Sequence, residues 1–394
     1  MSESNDQPSP TEPHPSTGAR LSHDPLWPRA GDWPDWEGAA DAVLLGAPAF
    51  RTSLSPTGAH ATPGAIRDAL RRFSPTLVGP PALDLTDILR IADAGDVDDP
   101  DGPEGEDRLR SRVGELASSA LVVTLGGDNS VTYAAAQGAR ASGLITIDAH
   151  FDLRDGESNG SPVRRLIEDG LDPRRIVQIG IADFANSAAY AQRAADLGIT
   201  VVTLDELSRR GMDDVVAQAL EIAGAGDGAI IHLDVDVDVC DRSVAPGCPA
   251  SVPGGLAAWE LRALVRALTV DPRVRSADIV EVDAEADAPD GRTVRLAALC
   301  VLEMLTGLAG RAARRPASAA VDATASAGHE PTDVAPSDVE QSDVEPGDPE
   351  HREAAGAARE PGSEWAPPDE SEPEPWPAGP APAHGDDGPD GERA

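Results

Sequence analysis

Short, largely apolar runs recur through the middle of this chain, at 42–45, 121–125, 144–147, 176–179, 199–204, 229–233 and 279–282. Most are rich in β-branched residues and bounded by Gly, Asp or Pro, and all are too short for a buried helix. Helical patterns separate several of them. One is predicted to start at Thr62-Pro63, with Thr62 as N-cap and a first-turn proline, placing Ile66, Leu70 and Phe73 on one face. Others cover 207–222, 259–268 and 296–305. Strands without a polar side must be covered on both faces. The pattern therefore predicts an α/β fold, a three-layer α/β/α domain around a mostly parallel sheet, with polar residues beyond the strand ends lining the ligand crevice.

This pattern occupies residues 36–312. Residues 1–35 are Ser, Pro, Asp and His without a period, and are expected to be a disordered N-terminal segment. Residues 313–394 are Pro, Glu, Asp, Gly and Ala with almost no Leu, Ile or Phe. Such a tail cannot bury enough apolar area to offset its conformational entropy, so a disordered acidic tail is expected. A docking role for it, with Trp365 and Trp376 as anchors, is the alternative.

Acidic residues number 69 against 32 basic ones, giving a formal net charge of −37. Nucleic acid and anionic membranes need a basic patch to displace counterions, so neither is expected as a partner. Every basic residue other than histidine is Arg; the absence of Lys excludes P-loop and Schiff-base lysine chemistry. Aromatic residues are only 3%, which leaves the core to Ala, Val, Leu and Ile. Cys240, Cys248 and Cys300 have no Cys-x-x-Cys spacing, as in a reducing compartment. The N-terminus lacks the basic start and apolar core of a signal peptide, and no apolar run approaches a membrane span. A soluble cytoplasmic protein is expected.

Chemistry concentrates where strands end. The strand at 143–147 runs into Asp148-Ala149-His150-Phe151-Asp152. Ligand-type side chains at i, i+2 and i+4 of an extended segment share one side. Carboxylates plus one imidazole suit a hard or borderline divalent ion such as Mn²⁺. A second acidic row, Asp234, Asp236, Asp238 and Asp241, follows another apolar strand. Carboxylates on one face of a buried strand repel one another strongly unless a cation lies among them. Together the rows offer ligands for two adjacent cations, which typically hold a nucleophilic hydroxide. Three further elements lie near strand ends: Gly126-Gly127-Asp128-Asn129-Ser130, the acids of 278–283, and the turn-rich loop Ala245-Pro246-Gly247 to Pro253-Gly254-Gly255-Leu256. His232, mid-strand, reads as a satisfied core histidine, and Cys240 and Cys248 as small packing residues.

In this order the motifs resemble those of the ureohydrolases: arginase, agmatinase and formimidoylglutamase. Gly126–Ser130 matches their G-G-D-H-S except at the histidine. Asp148–Asp152 matches D-A-H-x-D, and Asp236–Asp241 with the following A-P-G and P-G-G-L matches their second acidic motif. The resemblance implies an arginase-like fold and two Mn²⁺ per subunit. One ion would use Asp148, Asp152 and Asp236, the other Asp148, His150, Asp236 and Asp238. Asp234 lies one step upstream on the same face, and alternation alone does not separate it from Asp236 or Asp238. Asn129 replaces the family histidine, so its amide oxygen would be a weak metal donor and that site is expected to bind loosely.

Asn159 stands where agmatinases carry a proton-shuttling histidine, which argues against guanidine-cleaving branches. Asp148–Arg154 resembles the D-A-H-F-D-L-R of formimidoylglutamase, and 290–298 resembles its D-G-R-T-A-R-L-A-A. The implied reaction is hydrolysis of a linear amidine C–N bond, N-formimidoyl-L-glutamate giving L-glutamate and formamide, as in histidine degradation. Guanidino-compound hydrolysis releasing urea, or a silent arginase-fold binding protein, are the alternatives. Asp152 (or Asp148) is the candidate proton relay and Glu281 orients the amidine. Arg154, Asn159 and Arg292 are candidate substrate-binding residues, Arg164 a further cation. The partner is a small-molecule amidine, and a homo-oligomer is compatible with the sequence.

Overall fold

The computed structural model describes residues 24–314. The tail from 315 onward and residues 1–23 lie outside them, so the expectation for the acidic tail does too. Among the described residues ten strands are formed: β1 (Ala42–Ala47), β2 (Thr76–Leu77), β3 (Leu83–Asp84), β4 (Ile91–Asp96), β5 (Leu121–Gly126), β6 (Gly143–Ile147), β7 (Ile176–Ile181), β8 (Thr200–Thr203), β9 (Ile231–Asp236) and β10 (Val274–Val280). The helices are α1 (Thr62–Leu70), α2 (Gly102–Leu116), α3 (Val131–Gly138), α4 (Pro162–Glu168), α5 (Ala188–Leu197), α6 (Leu204–Arg210), α7 (Met212–Ala223), α8 (Ala258–Thr269) and α9 (Arg292–Arg314).

Eight strands form one sheet in the order β4-β1-β5-β10-β9-β6-β7-β8. Every neighbouring pair in it is parallel. The predicted parallel α/β architecture is what forms, because strands apolar on both faces are covered on both. One face carries a continuous apolar cluster: Leu44, Val123, Leu125, Ile145, Ile147, Val177, Ile179, Leu233, Val235 and Ile279 pack with side chains of α1 and α6 through α9. On the opposite face the apolar packing splits in two. Val43, Leu45 and Val122 pack with α2 and α3 on one side, while Leu144, Ile176 and Ile181 pack with α4 and α5 on the other. Between these clusters, over the central strands, the inward positions are polar.

Several local expectations are corrected. Thr62 is the first residue of α1, not its cap; its hydroxyl donates instead to the Val282 carbonyl at 2.5 Å, tying α1 to the end of β10. The helix expected over 207–222 is two, α6 and α7, broken at Gly211, whose φ of 86° a side chain would resist. Strand β4, with the sequence IADAGD, sits at the sheet edge and shows no apolar run to announce it. The folded unit also reaches upstream of 36. Ala30 is fully buried, and Asp35 bridges to Asp93 of β4. Finally, α9 runs well past both ends of its expected span. Its residues Arg292–Arg311 are long and apolar enough to cross a membrane by length and composition alone, contrary to the sequence expectation. With 61% of that stretch buried, α9 serves as a core helix packed on α1 and α8.

The loop after β5 approaches the one after β1 so closely that a side chain has no room. A Cβ on Gly127 would lie 1.9 Å from the Ala49 carbonyl oxygen, while Asp128 N–H donates to that same carbonyl at 2.9 Å. Gly127→Ala should therefore displace the loop and lower stability by roughly 1–3 kcal/mol, the usual cost of overpacking. Thermal unfolding measures this, and an unchanged midpoint would mean the loops part without cost.

Candidate metal centre and active site

Parallel strands deliver their C-terminal ends to one rim, and the acids gather there. Asp148 follows β6, with its N–H held by the Ile179 carbonyl at 3.0 Å. The chain does not stay extended beyond it. Asp152 has φ 53°, a left-handed conformation that a non-glycine residue adopts only when its surroundings impose it. Strand alternation thus points to side chains that do come together, but turns rather than pleat gather them. Asp236 ends β9, and a short 3₁₀ turn (Val237–Val239) brings Asp238 N–H to the Asp236 Oδ1 at 2.8 Å. Glu281 follows β10 at φ 62°, again left-handed.

These turns aim the side chains at one point. Asp148, Asp152, Asp236, Asp238 and Glu281 are all buried, and His150 is partly so. His150 Nδ1 lies 2.7 Å from Asp238 Oδ2 and 3.6 Å from Asp148 Oδ1. Asp148, His150 and Asp238 each offer a ligand atom, and these atoms lie within 4.8 Å of one another. Asp148 Oδ2 is buried with no hydrogen-bond partner. An orphaned carboxylate oxygen among four acids and one imidazole is the donor set a divalent ion such as Mn²⁺ requires.

Asn129 stands at the same centre, but nitrogen first. Its Nδ2 donates to Asp152 Oδ2 at 2.5 Å and lies 3.4 Å from Asp236 Oδ2, while its Oδ1 accepts from the Thr132 hydroxyl at 2.6 Å. The oxygen expected to face a metal is thus engaged by Thr132, and Asn129 clamps the carboxylates of two candidate ligands. Asp234 is excluded from the rim, lying within β9 two residues below Asp236. Asp241 braces the following loop by accepting from Ser243 N and Gly254 N.

A cavity of about 360 Å³ opens over the acids. His150, Asp152, Asp236, Asp238 and Glu281 line it, with Arg154 and Asn159 on one wall and Asn186, Ser187 and Tyr190 on another. Asn159 donates to Glu281 Oε1 at 2.8 Å, and the Asn129 N–H donates to the same oxygen at 2.7 Å. Arg154 packs across Gly160, and its guanidinium has no ion-pair partner among the described residues. Arg292 is not among the residues lining the cavity; it lies at the start of α9, near Asp290 at 3.3 Å. Arg164 is occupied by Glu168 and by the carbonyls of Arg154 and Gly156.

Asn186 is a site residue that sequence reasoning missed. Its Oδ1 accepts from Phe151 N at 3.1 Å, and its Nδ2 donates to the Ala149 carbonyl at 2.8 Å and the Ala182 carbonyl at 3.2 Å. It braces the ligand loop against the loop after β7, and no local pattern marks it.

The chain belongs to the Arginase family, whose model matches residues 40–307. It is 34% identical over 289 residues to formimidoylglutamase from Bacillus subtilis (strain 168), an alignment covering 69% of this chain and 89% of that protein. The crystal structure of formimidoylglutamase from Bacillus subtilis subsp. subtilis str. 168 superposes with TM-score 0.68 at 31% identity, covering 74% of this chain and 95% of that one. The crystal structure of Trypanosoma cruzi formiminoglutamase with Mn²⁺ superposes with TM-score 0.62 at 26% identity, covering 69% of this chain and 94% of that one.

Charge crowding makes the metal-free site sensitive to pH. Burial, with Asp238 adding to it, pushes Asp148 up to about 6. Burial and then Asp128 push Glu281 up to about 8, while burial and neighbouring acids hold Asp152 and Asp236 well above the usual carboxylate range. Burial opposes a charged His150, but Asp238 and Asp148 override it and raise it to about 12. All these folded values exceed the unfolded ones, about 3.9 for Asp, 4.3 for Glu and 6.5 for His. Between about pH 4 and 8 the folded state therefore binds more protons, and stability falls as pH rises. Bound metal reverses the trend, because ligation needs deprotonated groups. Unfolding midpoints should fall from about pH 5 to 8 in chelator, and the gain from added Mn²⁺ should widen over the same range. A pH-independent midpoint in chelator would show that the acids are not crowded as described.

Proposed function

We propose that the chain hydrolyses N-formimidoyl-L-glutamate to L-glutamate and formamide with two Mn²⁺ per subunit, as a cytoplasmic enzyme of histidine degradation. The observation that carries this reading is a cavity lined by four acids and one histidine, with Asp148 buried beside them and a single unpaired arginine on its wall. When bound, the cations lower the pKa of water to near neutrality and offset the negative charge developing in the reaction. Asp148, His150, Asp152, Asp236 and Asp238 hold them. The Glu281 carboxylate faces the amidine head with a charge-assisted hydrogen bond, fixed in place by Asn159 and the Asn129 N–H. Arg154 takes a substrate carboxylate, for which a planar guanidinium is suited. Water adds to the formimidoyl carbon, the bond from that carbon to the glutamate nitrogen breaks, and the departing amine gains a proton relayed by Asp152. The reducing setting accords with three buried, unpaired cysteines.

The decisive experiment is a substrate panel with added Mn²⁺, reading formamide, urea and ammonia separately. Formamide and glutamate from N-formimidoyl-glutamate are expected. Urea from a guanidino compound would move the chain to another branch of the family, and no turnover on any amidine would favour a silent binding protein.

Asp148→Ala and Asp236→Ala should each lower kcat/KM by more than the 10–100-fold that loss of a supporting residue typically costs, and each should reduce bound metal. A variant with ordinary turnover would remove that residue from the site. Asn129→His replaces an amide with a stronger imidazole donor and should tighten one Mn²⁺ by about tenfold. Elemental analysis after dialysis checks it; unchanged stoichiometry and activation curves would place position 129 away from the metal.

A further inference from the structure

The central strands β5, β10, β9 and β6 lead into the candidate site at their C-terminal ends. At their N-terminal ends lies a second cavity, of about 530 Å³. Strands of this length put the two ends about 20 Å apart. The lining comes from the ends of α2 and α3 and from the segments leading into β9 and β10. Its charged side chains are Arg140, Arg273 and Arg275, and no acid lines it. In a chain with a net charge of −37, a cavity charged only by arginine runs against the composition.

Helix C-termini attract cations, and part of this arginine charge answers them. Arg275 donates from Nη2 to the Ala117 carbonyl at the end of α2, at 3.0 Å. Arg273 donates from Nη1 to the Gly224 carbonyl beyond α7, at 2.8 Å, and pairs with Asp271. The remaining donors of Arg275 have no partner among the described residues, and its charge is felt nearby. Burial, and then Arg275, pull the Arg311 guanidinium down to about 10.

Arg140 answers nothing in the fold. Its guanidinium has no hydrogen bond or ion pair among the described residues. Yet its backbone sits at φ 56°, just past the Ala139 that caps α3. Glycine is the residue usually found at such a left-handed helix end, and a side chain there is a local cost. The chain thus accepts strain to hold a free guanidinium at the mouth of a cavity that already contains two others. Arginine is the side chain suited to forked binding of oxyanions.

We propose that this cavity is a binding site for a multivalent oxyanion, a phosphate or polycarboxylate group held by Arg140, Arg275 and the free edge of Arg273. It lies at the opposite end of the sheet from the acids and shares four strands with them. The volume leaves room for a metabolite around the anionic group.

The test is calorimetric titration of the full chain with inorganic phosphate and, separately, with citrate. No metal is added, and NaCl holds ionic strength constant so that screening does not pass for binding. Saturable binding of at least one probe is expected, and the tighter probe names the group. Arg140→Gly should weaken it about tenfold while raising the unfolding midpoint without anion, because the strain is gone. Arg275→Gln, which keeps an amide donor but loses the charge, should also weaken binding about tenfold. Arg154→Ala, in the cavity over the acids, should leave binding unchanged. Absence of saturable binding by both probes overturns the proposal. So does binding that survives Arg140→Gly and Arg275→Gln, or binding lost in Arg154→Ala, which would place the anion over the acids. A midpoint without anion lowered by Arg140→Gly would overturn it too, by giving Arg140 a structural role.

Discussion

Four aspartates and a glutamate converge at the C-terminal rim of the sheet with one histidine among them, and the rest of the structure is arranged to tolerate that repulsion. Like charges brought out of water raise their own proton affinities, and Asp148, Asp152, Asp236 and Glu281 are all held above their ordinary range. Only Asp238 moves the other way, because His150 beside it outweighs its burial. The scaffold supplies what an ion-free site can: backbone donors at Ala149 and Asp238, the Asn129 amide, and two left-handed residues that turn the side chains inward. The continuous apolar cluster on the opposite face anchors the same strands from behind. The sheet therefore has a stabilising face and a charged one, and the divided packing on the second face is the imprint of the site.

Much of this was legible in the chain, for identifiable reasons. Central strands such as β5, β6 and β9 are buried on both faces, so their apolar runs are conspicuous, and the acids just past them stand out by contrast. Edge strand β4 escaped because half of it faces outward or lies beyond its neighbour, so Asp93 and Asp96 can sit there, paired with Arg67. Helix α2 escaped as well; with Arg and Glu on most of its surface it buries only Leu109, Val113 and Leu116 as large side chains. A one-residue break such as Gly211 is invisible to periodicity when both flanking segments are amphipathic.

The site divides along the same line. Residues placed at the site by their position at a strand end, namely Asp148, Asp236 and Glu281, were readable from local pattern. Residues that act through the way loops meet were not. Asn186 is a brace between two loops distant in sequence from its partners' strand. Arg292 was placed by motif alone and lies by Asp290 instead of at the cavity. The local sequence around Asn129 identifies an amide at the centre but cannot say which end of it faces the carboxylates; Thr132, one helical turn on, settles that by donating to its oxygen.

That orientation links the metal layer to the cavity wall. Asn129 donates from its side chain to Asp152 and from its backbone to Glu281, whose Oε1 also takes Asn159. Three loops, after β5, β6 and β10, are therefore fastened through one residue and one oxygen. Both bonds to Glu281 use Oε1, which leaves Oε2 without a protein donor among the described residues and free for a ligand's N–H. A histidine at 129 could ligate a metal, but it could not donate to Asp152 and accept from Thr132 in the same geometry. The amide thus exchanges a strong metal donor for a fixed relation between the candidate ligand acids and the Glu281 carboxylate in the cavity lining. An amidine with a single N–H edge to present is the kind of group such a fixed acceptor discriminates best, because a misaligned head would leave a buried carboxylate oxygen unpaired.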